Sequence, residues 1–469
     1  MQAPEIYLKR FHNYLERNNM QKNPYQEEGL IWCIERELNS ESLAVSENEQ
    51  REYKKGGIVA YEMGLGKTIL MLGLFASNFV RNTLIVVPLP LLTQWKNEIK
   101  RTLGHDVLVY HGQSKKNITK EMLKEAALVL TTYGALRPTS KDNLYSLHWN
   151  RIIYDEAHHM RNNSSKKYFY GKLLRSDSKW LLSGTPIQNR INDLYSLLNV
   201  IGYKKISINY DVFRQIRNHH ILRKKKSDVG IYLPEIHYKN VEVDWKNELE
   251  KSVSEKIHGL VEDKLKPEDI QWLGVIGDTK LVQMIRARQV CVCPRLLSNK
   301  LKPIYGKSSD NYKTIENSTS KIDSVVNLIK ERNNNNKKII FCTFHKEMDI
   351  LKEKLNEINI TDIGIYTGKL NVKMREEIIK SEPEILIMQI QAGCEGLNLQ
   401  QYNEVYIVSP HWNPCIEDQA VGRCYRMGQK KETFIFNFNM NSTESTNSMD
   451  NYVKDIQKNK RELQEEILV

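Results

Sequence analysis

Four short stretches hold residue types that could do phosphate chemistry. The first is GGIVAYEMGLGKTILML, residues 56–72. It fits the phosphate-loop pattern G-x-x-x-x-G-K-[ST] except at its first glycine, where Tyr61 stands. In such a loop Gly64 and Gly66 let the backbone approach an anion. Lys67 supplies charge to the β- and γ-phosphates, and the Thr68 hydroxyl can ligate Mg²⁺. A glycine at position 61 would only ease the turn out of the preceding strand, so Tyr61 need not abolish the site. The second stretch, RIIYDEAHH (151–159), ends an apolar run in two carboxylates. Asp155 would hold the magnesium, directly or through water, and Glu156 would polarise the attacking water as general base. The third, LLSGTPIQN (181–189), follows another apolar run with Ser183 and Thr185, which could sense the carboxylate pair. The fourth, EDQAVGRCYRMGQ (417–429), places Arg423 and Arg426 three apart, on one face if helical. An arginine reaching a γ-phosphate stabilises transition-state charge. Each stretch alone has a plain alternative: a strand–helix turn, a helix cap, a loop, a solvated face.

The elements that must position these residues come from hydrophobic patterning. GGIVA, TLIVVP, AALVLTTY, RIIYDE and KWLLSGT are short apolar runs bounded by turn residues, and TILMLGLFASNFV and LLTQWKNEIKRTL read as helices between them. Such alternation predicts a parallel sheet covered on both faces. A second set, KKIIFCTF, DIGIYTG, EILIMQI, EVYIVSP and TFIFNF, begins near residue 321. The expected fold class is therefore α/β, two tandem parallel-sheet lobes with a cleft between them. The expected division is 1–202 for the nucleotide lobe, 203–320 for a basic, mainly helical insertion and linker, and 321–469 for the second lobe with a charged helical tail.

Composition sets the outer bounds. A chain of 469 residues is too long for one core, and 40% hydrophobic with 27% charged residues is ordinary for a globular protein. Its 69 Lys and Arg against 57 Asp and Glu leave +12, which favours a polyanionic partner. Seven Cys follow no metal spacing, Cys291 and Cys293 being too close for C-x-x-C, and the pairs His158–His159 and His219–His220 lack partner ligands, so zinc is not expected. With no 18-residue apolar run and no signal peptide, no membrane association is expected and an intracellular location is. The run Asn333–Asn336 reads as compositional bias.

In order, NPYQEEGL, YEMGLGKT, LIVVPLPLLTQWKNEI, VLTTYGAL, DEAH, LLSGTPIQN, ILRKKKSDV, IIFCTFHKEMDIL, AGCEGLNL, SPHWNP and QAVGRCYRMGQ span about residues 20–440. This series resembles the SWI/SNF family of ATP-dependent DNA translocases in helicase superfamily two. The resemblance implies two RecA-like lobes, ATP with Mg²⁺, and double-stranded DNA gripped by its backbone. It implies that Gln26 reads the adenine edge and that Met63, Gly64, Leu65, Gly66, Lys67 and Thr68 bind the phosphates, with Thr68 and Asp155 on the metal. Lys67, Asp155 and Glu156 would carry hydrolysis. Gln419, Arg423 and Arg426 match the second lobe's arginine motif, Arg426 being the better finger. Segments around Pro88, Thr131–Thr132 and Gly393–Asn398 match those that track DNA, and Arg223–Lys226 matches a brace between lobes. Tyr61 stands where the family usually has Asp. Ile390, Gln391, Gly422 and Tyr425 also depart from its pattern.

The implied function is an ATP-dependent translocase on duplex DNA that remodels or displaces bound proteins, such as nucleosomes or transcription and repair complexes. Its place would be the nucleus of a cell or the replication site or virion of a virus. The alternatives are a strand-separating DNA or RNA helicase and a catalytically weak DNA-binding clamp.

Overall fold

The structure is a computed structural model that describes residues 3–38, 43–44, 51–52, 54–138, 143–187, 190–203, 210–230, 233–263, 270–332, 334–393 and 397–468. Chain contacts divide it into two compact units, the first built on Met1–Tyr232 and the second on Leu233–Glu466.

The first unit holds a seven-stranded sheet. Its strands are β1 (Lys55–Tyr61), β2 (Thr83–Val87), β3 (Leu108–Tyr110), β4 (Leu128–Thr132), β5 (His148–Tyr154), β6 (Arg175–Leu182) and β7 (Ile221–Lys224). They lie in the order β3-β4-β2-β5-β6-β1-β7, every ladder parallel. β2 and β4 are buried along their whole length, which is why TLIVV and LVLTT contain no exposed polar position. Helices α1 (Ala3–Arg17), α2 (Pro24–Leu38), α3 (Lys67–Ser77) and α4 (Leu92–Leu103) supply Phe11, Leu30, Leu72 and Trp95 to a core shared with Val59, Ile85, Ile153 and Leu182 of the strands.

A charged pair, Glu37 and Arg151, is buried beside that core. Glu37 accepts from Arg151 Nε at 2.6 Å, Trp180 Nε1 at 2.8 Å and Asn78 Nδ2 at 2.7 Å. Burial would raise the Glu37 carboxyl, but the Arg151 charge and these donors outweigh it and hold the pKa below its ordinary value. Removing one partner leaves the other charged, buried and unpaired. Arg151→Met is therefore expected to destabilise the first unit by roughly 3–5 kcal/mol, and adding Glu37→Leu to recover most of that loss. Thermal unfolding of the single and double variants checks this. A single variant that melts with wild type would remove the pair from the stability account.

The second unit holds a six-stranded sheet. Its strands are β8 (Ile236–Val243), β9 (Lys337–Cys342), β10 (Ile363–Tyr366), β11 (Ile385–Gln389), β12 (Tyr402–Ile407) and β13 (Thr433–Met440), in the order β8-β13-β12-β9-β11-β10 and again all parallel. The expected two parallel-sheet lobes are thus both present. Chain contacts assign residues up to 232 to the first unit and those from 233 to the second, so the stretch expected as an insertion is divided between them. Helices α5 (Glu248–Val261), α6 (Lys280–Val292) and α7 (Ser320–Glu331) place Val253, Ile257, Val290, Cys291 and Val325 in one core with Ile340, Ile387 and Phe436. The physical reason is β8. Its sequence, IHYKNVEV, is too polar to read as a strand, because it lies at the sheet edge with most positions exposed or half-buried while pairing with all of β13.

Buried polar contacts tie this unit together. Lys321, fully buried, pairs with Asp450, which also accepts from the Met440 N–H at 2.9 Å. The asparagine run is structural. Asn334 and Asn336 donate to Glu404 Oε1 at 2.8 and 3.1 Å beside Arg332 at 2.7 Å. No described helix is long and apolar enough to cross a membrane.

Candidate nucleotide site

In a parallel sheet, chemistry gathers at the carboxyl ends of the strands. The sequence follows that rule: the phosphate loop leaves β1, Pro88 follows β2, Asp155 follows β5 and Ser183 follows β6. Backbone hydrogen bonds fix these ends, from Asp155 N–H to Val86 O at 2.9 Å and from Ser183 N–H to Val59 O at 3.2 Å.

The loop 62–66 turns on two glycines. Gly64 has φ +91° and Gly66 has φ +76°, where a side chain is strained. Gly66 is constrained a second time, since a Cβ there would come 2.6 Å from Gln26 Nε2. The buried amide of Gln26, from α2, is thus set against the loop. α3 begins at Lys67, so Lys67 and Thr68 occupy its first turn, where backbone N–H groups and the helix dipole favour an anion. Leu65 is fully buried beneath the loop and Met63 half-buried, its Cγ 3.4 Å from the Cβ position of Gly184. That same position lies 3.7 Å from Lys67 Nζ, which brings the Ser-Gly-Thr stretch to the phosphate loop.

Tyr61 does not face this loop. Its side chain is fully buried in the core, donates to Tyr25 O at 2.8 Å and meets the Tyr25 ring edge-on at 6.0 Å. It fits under α2 because position 29 is glycine, where a Cβ would fall 2.1 Å from the Tyr61 hydroxyl. Its carbonyl accepts from Lys67 Nζ at 2.8 Å, a service any residue performs. Tyr61→Phe is expected to keep nucleotide affinity and to lose about 1 kcal/mol of stability, the net worth of one hydrogen bond. Gly29→Ala is expected to lower stability further by forcing the ring from its place. Thermal melts read beside titration with a fluorescent ATP analogue test both. Lost affinity in Tyr61→Phe would put the ring in the nucleotide site.

Asp155 is buried. Trp95 Nε1 donates to its Oδ2 at 2.7 Å, the Glu156 N–H to its Oδ1 at 3.0 Å, and the Tyr133 hydroxyl to its carbonyl at 2.8 Å. Burial and the neighbouring Glu156 charge push its carboxyl up to about 6, against the opposing pull of Trp95 and Lys67. Glu156 is the first residue past this turn and takes φ +48°, ψ +51°, left-handed backbone that a non-glycine residue rarely adopts. Its Oε2 lies 3.2 Å from His158 Nδ1. His159 is pushed down to about 3 by burial and the nearby His158, and packs its ring 5.3 Å from Tyr133. Trp95, Tyr133 and His158 were not among the expected site residues. Trp95 sits inside the LTQW stretch, where a tryptophan amid polar helix residues was the available signal.

The Thr131 and Thr132 hydroxyls point inward, Thr131 donating to Tyr110 O at 2.7 Å and Thr132 meeting His111 Nδ1 at 3.0 Å; both residues are buried at the end of β4. Gly134, Arg137 and Pro138 are the exposed positions of 131–138. Within Gly393–Asn398, residues 394–396 lie outside the described residues, as do Gln188 and Asn189 of the Ser-Gly-Thr stretch. The basic run 223–226 belongs to the first unit: Arg223 and Lys224 pair with Ala60 and Tyr61, and the Lys226 N–H donates to Glu62 Oε2 at 2.8 Å. It steadies the strand and loop that carry Lys67. His220 also serves the fold, with the Tyr203 hydroxyl at 2.7 Å and Gly56 O at 3.1 Å.

In the second unit, Gln419 and Arg423 are buried on α8 (Pro414–Cys424). That helix ends before Arg426, so the two arginines do not share one helical face. Tyr425 departs from helical backbone and Gly428 takes φ +99°, putting half-buried Arg426 in a turn. Burial, and then the charge of Arg423, lower the Arg426 pKa. The helix start is set by Asn413, whose side chain accepts from the Cys415 N–H at 3.2 Å. α9 (Met449–Leu468) anchors it through Arg461, which grips Asp418 at 2.8 and 2.9 Å.

Among the described residues one group has metal-like spacing, Glu235, His237 and Glu432, with both glutamates exposed. His237 lies 3.7 Å from Glu235 and 3.3 Å from Glu432, an ordinary surface ion pair if protonated.

Comparison with known proteins agrees with this architecture. A SNF2-related domain matches residues 25–296 and a helicase conserved C-terminal domain residues 320–428. The chain is 28% identical to a probable global transactivator of Orgyia pseudotsugata multicapsid polyhedrosis virus, over 92% of this chain and 88% of that protein. It is 26% identical to the ATP-dependent DNA helicase DDM1 of Arabidopsis thaliana, over 89% of this chain but only 58% of that protein. Its fold matches the Hef helicase domain of Pyrococcus furiosus with a TM-score of 0.55, at 16% identity, covering 92% of this chain and 97% of that one. With a SNF2-related domain covering more than half of its length and a helicase C-terminal domain after it, this chain belongs to the SNF2 family of ATPases in helicase superfamily two.

Proposed function

We propose that the chain hydrolyses ATP to move along double-stranded DNA and so displaces or remodels the proteins bound there. The observation that carries this reading is the convergence in the first unit of Lys67, Asp155, Glu156 and the Ser-Gly-Thr turn around one glycine loop backed by Gln26. Gln26 recognises the base. The loop N–H groups, Lys67 and Thr68 hold the phosphates. Glu156 takes the proton of the attacking water, and Arg426, with Arg423 and Gln419 behind it, supplies charge to the γ-phosphate as it leaves. Thr68 and Asp155 would hold Mg²⁺. A buried carboxylate raised to about 6 beside a second carboxylate suits a hard cation with oxygen ligands. When bound, Mg²⁺ neutralises charge on the phosphates.

The probable viral transactivator and the ATP-dependent DNA helicase DDM1 among its relatives support DNA as the track and a transcription complex as one setting. The net charge of +12 agrees with a polyanionic partner. A motor on duplex DNA would work where that DNA is held, in a nucleus or at a viral replication site.

ATPase rate measured in parallel with no nucleic acid, single-stranded DNA, double-stranded DNA and RNA tests the proposal. Duplex DNA is expected to stimulate most, with no strand displaced. DNA affinity should fall with salt by about 0.9 log units per log unit for each phosphate neutralised. A rate indifferent to duplex would end the motor reading, and a displaced strand would replace it with strand separation.

A further inference from the structure

A second anion site is suggested at the opposite end of the first unit's sheet. Lys54 and Lys55 enter β1, His148 opens β5 and Arg175 opens β6, so these residues stand at the amino ends of strands whose carboxyl ends carry the phosphate loop. The length of β1 alone, Lys55 to Tyr61, separates the two places by roughly 20 Å. Here Lys54, Lys55, Lys172, Arg175 and Lys179 line a cavity of about 550 Å³. One carboxylate is present in the lining, Asp177, and it already lies 2.7 Å from His148 Nε2.

Five cations round one depression repel one another, a cost that an anion bound among them would offset. Lys179 makes the point most clearly. It is 8% exposed, and among the described residues its ammonium makes a single long hydrogen bond, to Lys172 O at 3.4 Å, with no carboxylate in ion-pair reach. Burial and Lys172 lower its pKa to about 8. Such a group is stabilised by an anion brought to it. Gly202 leaves room for the Lys54 stem, since a Cβ there would come 2.9 Å from its Cδ.

We propose that this cavity binds a compact, multiply phosphorylated small molecule at a site separate from the phosphate loop. Its volume falls within the range of small-ligand pockets, about 300–1,000 Å³. A duplex backbone presents phosphates in a row and calls for a stripe of cations, whereas these converge on one hollow. Arg175 can take a phosphate through two N–H groups, and the lysines act as point charges around it.

Calorimetric titration of the full chain with inorganic tripolyphosphate, with inositol hexakisphosphate and with a 20-base-pair duplex, at one salt concentration, tests this. Lys55→Gln/Arg175→Gln is expected to weaken both polyphosphates roughly tenfold or more, the loss of charge-assisted hydrogen bonds, with duplex affinity unchanged. Lys179→Met, which keeps the buried stem, should do the same singly and secures the result if the double variant folds poorly. Lys67→Ala should leave inositol hexakisphosphate binding intact, which separates this site from the ATP loop whatever the fate of the motor reading. Equal polyphosphate affinity in wild type and charge variants overturns the proposal. So does a loss confined to the duplex, which would make the hollow a nucleic-acid contact.

Discussion

Glu156→Gln is expected to bind ATP as wild type does and to turn it over roughly 10²–10⁴-fold more slowly, the contribution of a positioned general base. The substitution keeps the side chain's shape and removes its ability to take a proton. The backbone that aims it is unusual. Glu156 is left-handed at φ +48°, ψ +51°, and its N–H is tethered to Asp155 Oδ1 at 3.0 Å. Asp155 is in turn fixed by Trp95 and by the sheet through Val86. A strained residue held by three anchors is a site where geometry has been given priority over local preference. His158, 3.2 Å from the Glu156 carboxylate, is placed to orient it. Single-turnover hydrolysis beside binding of a fluorescent ATP analogue gives the readout. Wild-type turnover in Glu156→Gln would move the base elsewhere, and lost binding would make Glu156 a structural residue of the loop.

The site was legible in sequence because its parts are local: each is a strand end followed at once by its chemical residues. Lys67, Asp155 and the Ser183–Thr185 turn lie far apart in the chain, yet parallel strands deliver their carboxyl ends to one edge, so the alternation of elements already implied their meeting. What was illegible depended on partners distant in sequence. Tyr61 read as a defect in the loop. Its explanation, the missing side chain at Gly29 and the carbonyl of Tyr25, lies in another helix. The partners of the Thr131 and Thr132 hydroxyls, Tyr110 and His111, lie on and beside a neighbouring strand that the segment's own sequence does not name. The fold followed the same division. Buried strands such as TLIVV announce themselves, whereas edge strands do not. β8, IHYKNVEV, and β7, ILRK, read as linker and as a basic run because an edge strand keeps polar residues wherever one face meets water. That is why the boundary shifted to residues 232 and 233. The asparagine run looked like compositional noise until its amides were found on Glu404.

Arg426→Ala is expected to lower kcat by roughly 10³–10⁵ while ATP affinity stays near wild type, the effect of removing an arginine finger. The choice of Arg426 over Arg423 rests on how each is held. The Arg423 side chain is buried on α8, so its removal leaves a gap in the packing of that helix. Arg426 lies past the helix end, half-buried, in a turn secured by the Gln429 N–H on its own carbonyl at 2.9 Å and by Gln429 Nε2 on Cys424 O at 3.1 Å. The main chain is thereby fixed without using the guanidinium. Burial and then the adjacent Arg423 charge lower its pKa, so an anion brought to it would be favoured. A planar guanidinium fits phosphate oxygens through two N–H groups, which an ammonium cannot copy. Arg426→Lys should therefore recover little of the rate. Arg423→Ala should lower the melting temperature as well as kcat, and Arg426→Ala only kcat. Pre-steady-state kinetics at saturating ATP and duplex, read beside thermal melts, separate the two. If Arg426→Ala hydrolyses ATP at the wild-type rate, the turn after α8 takes no part in the chemistry.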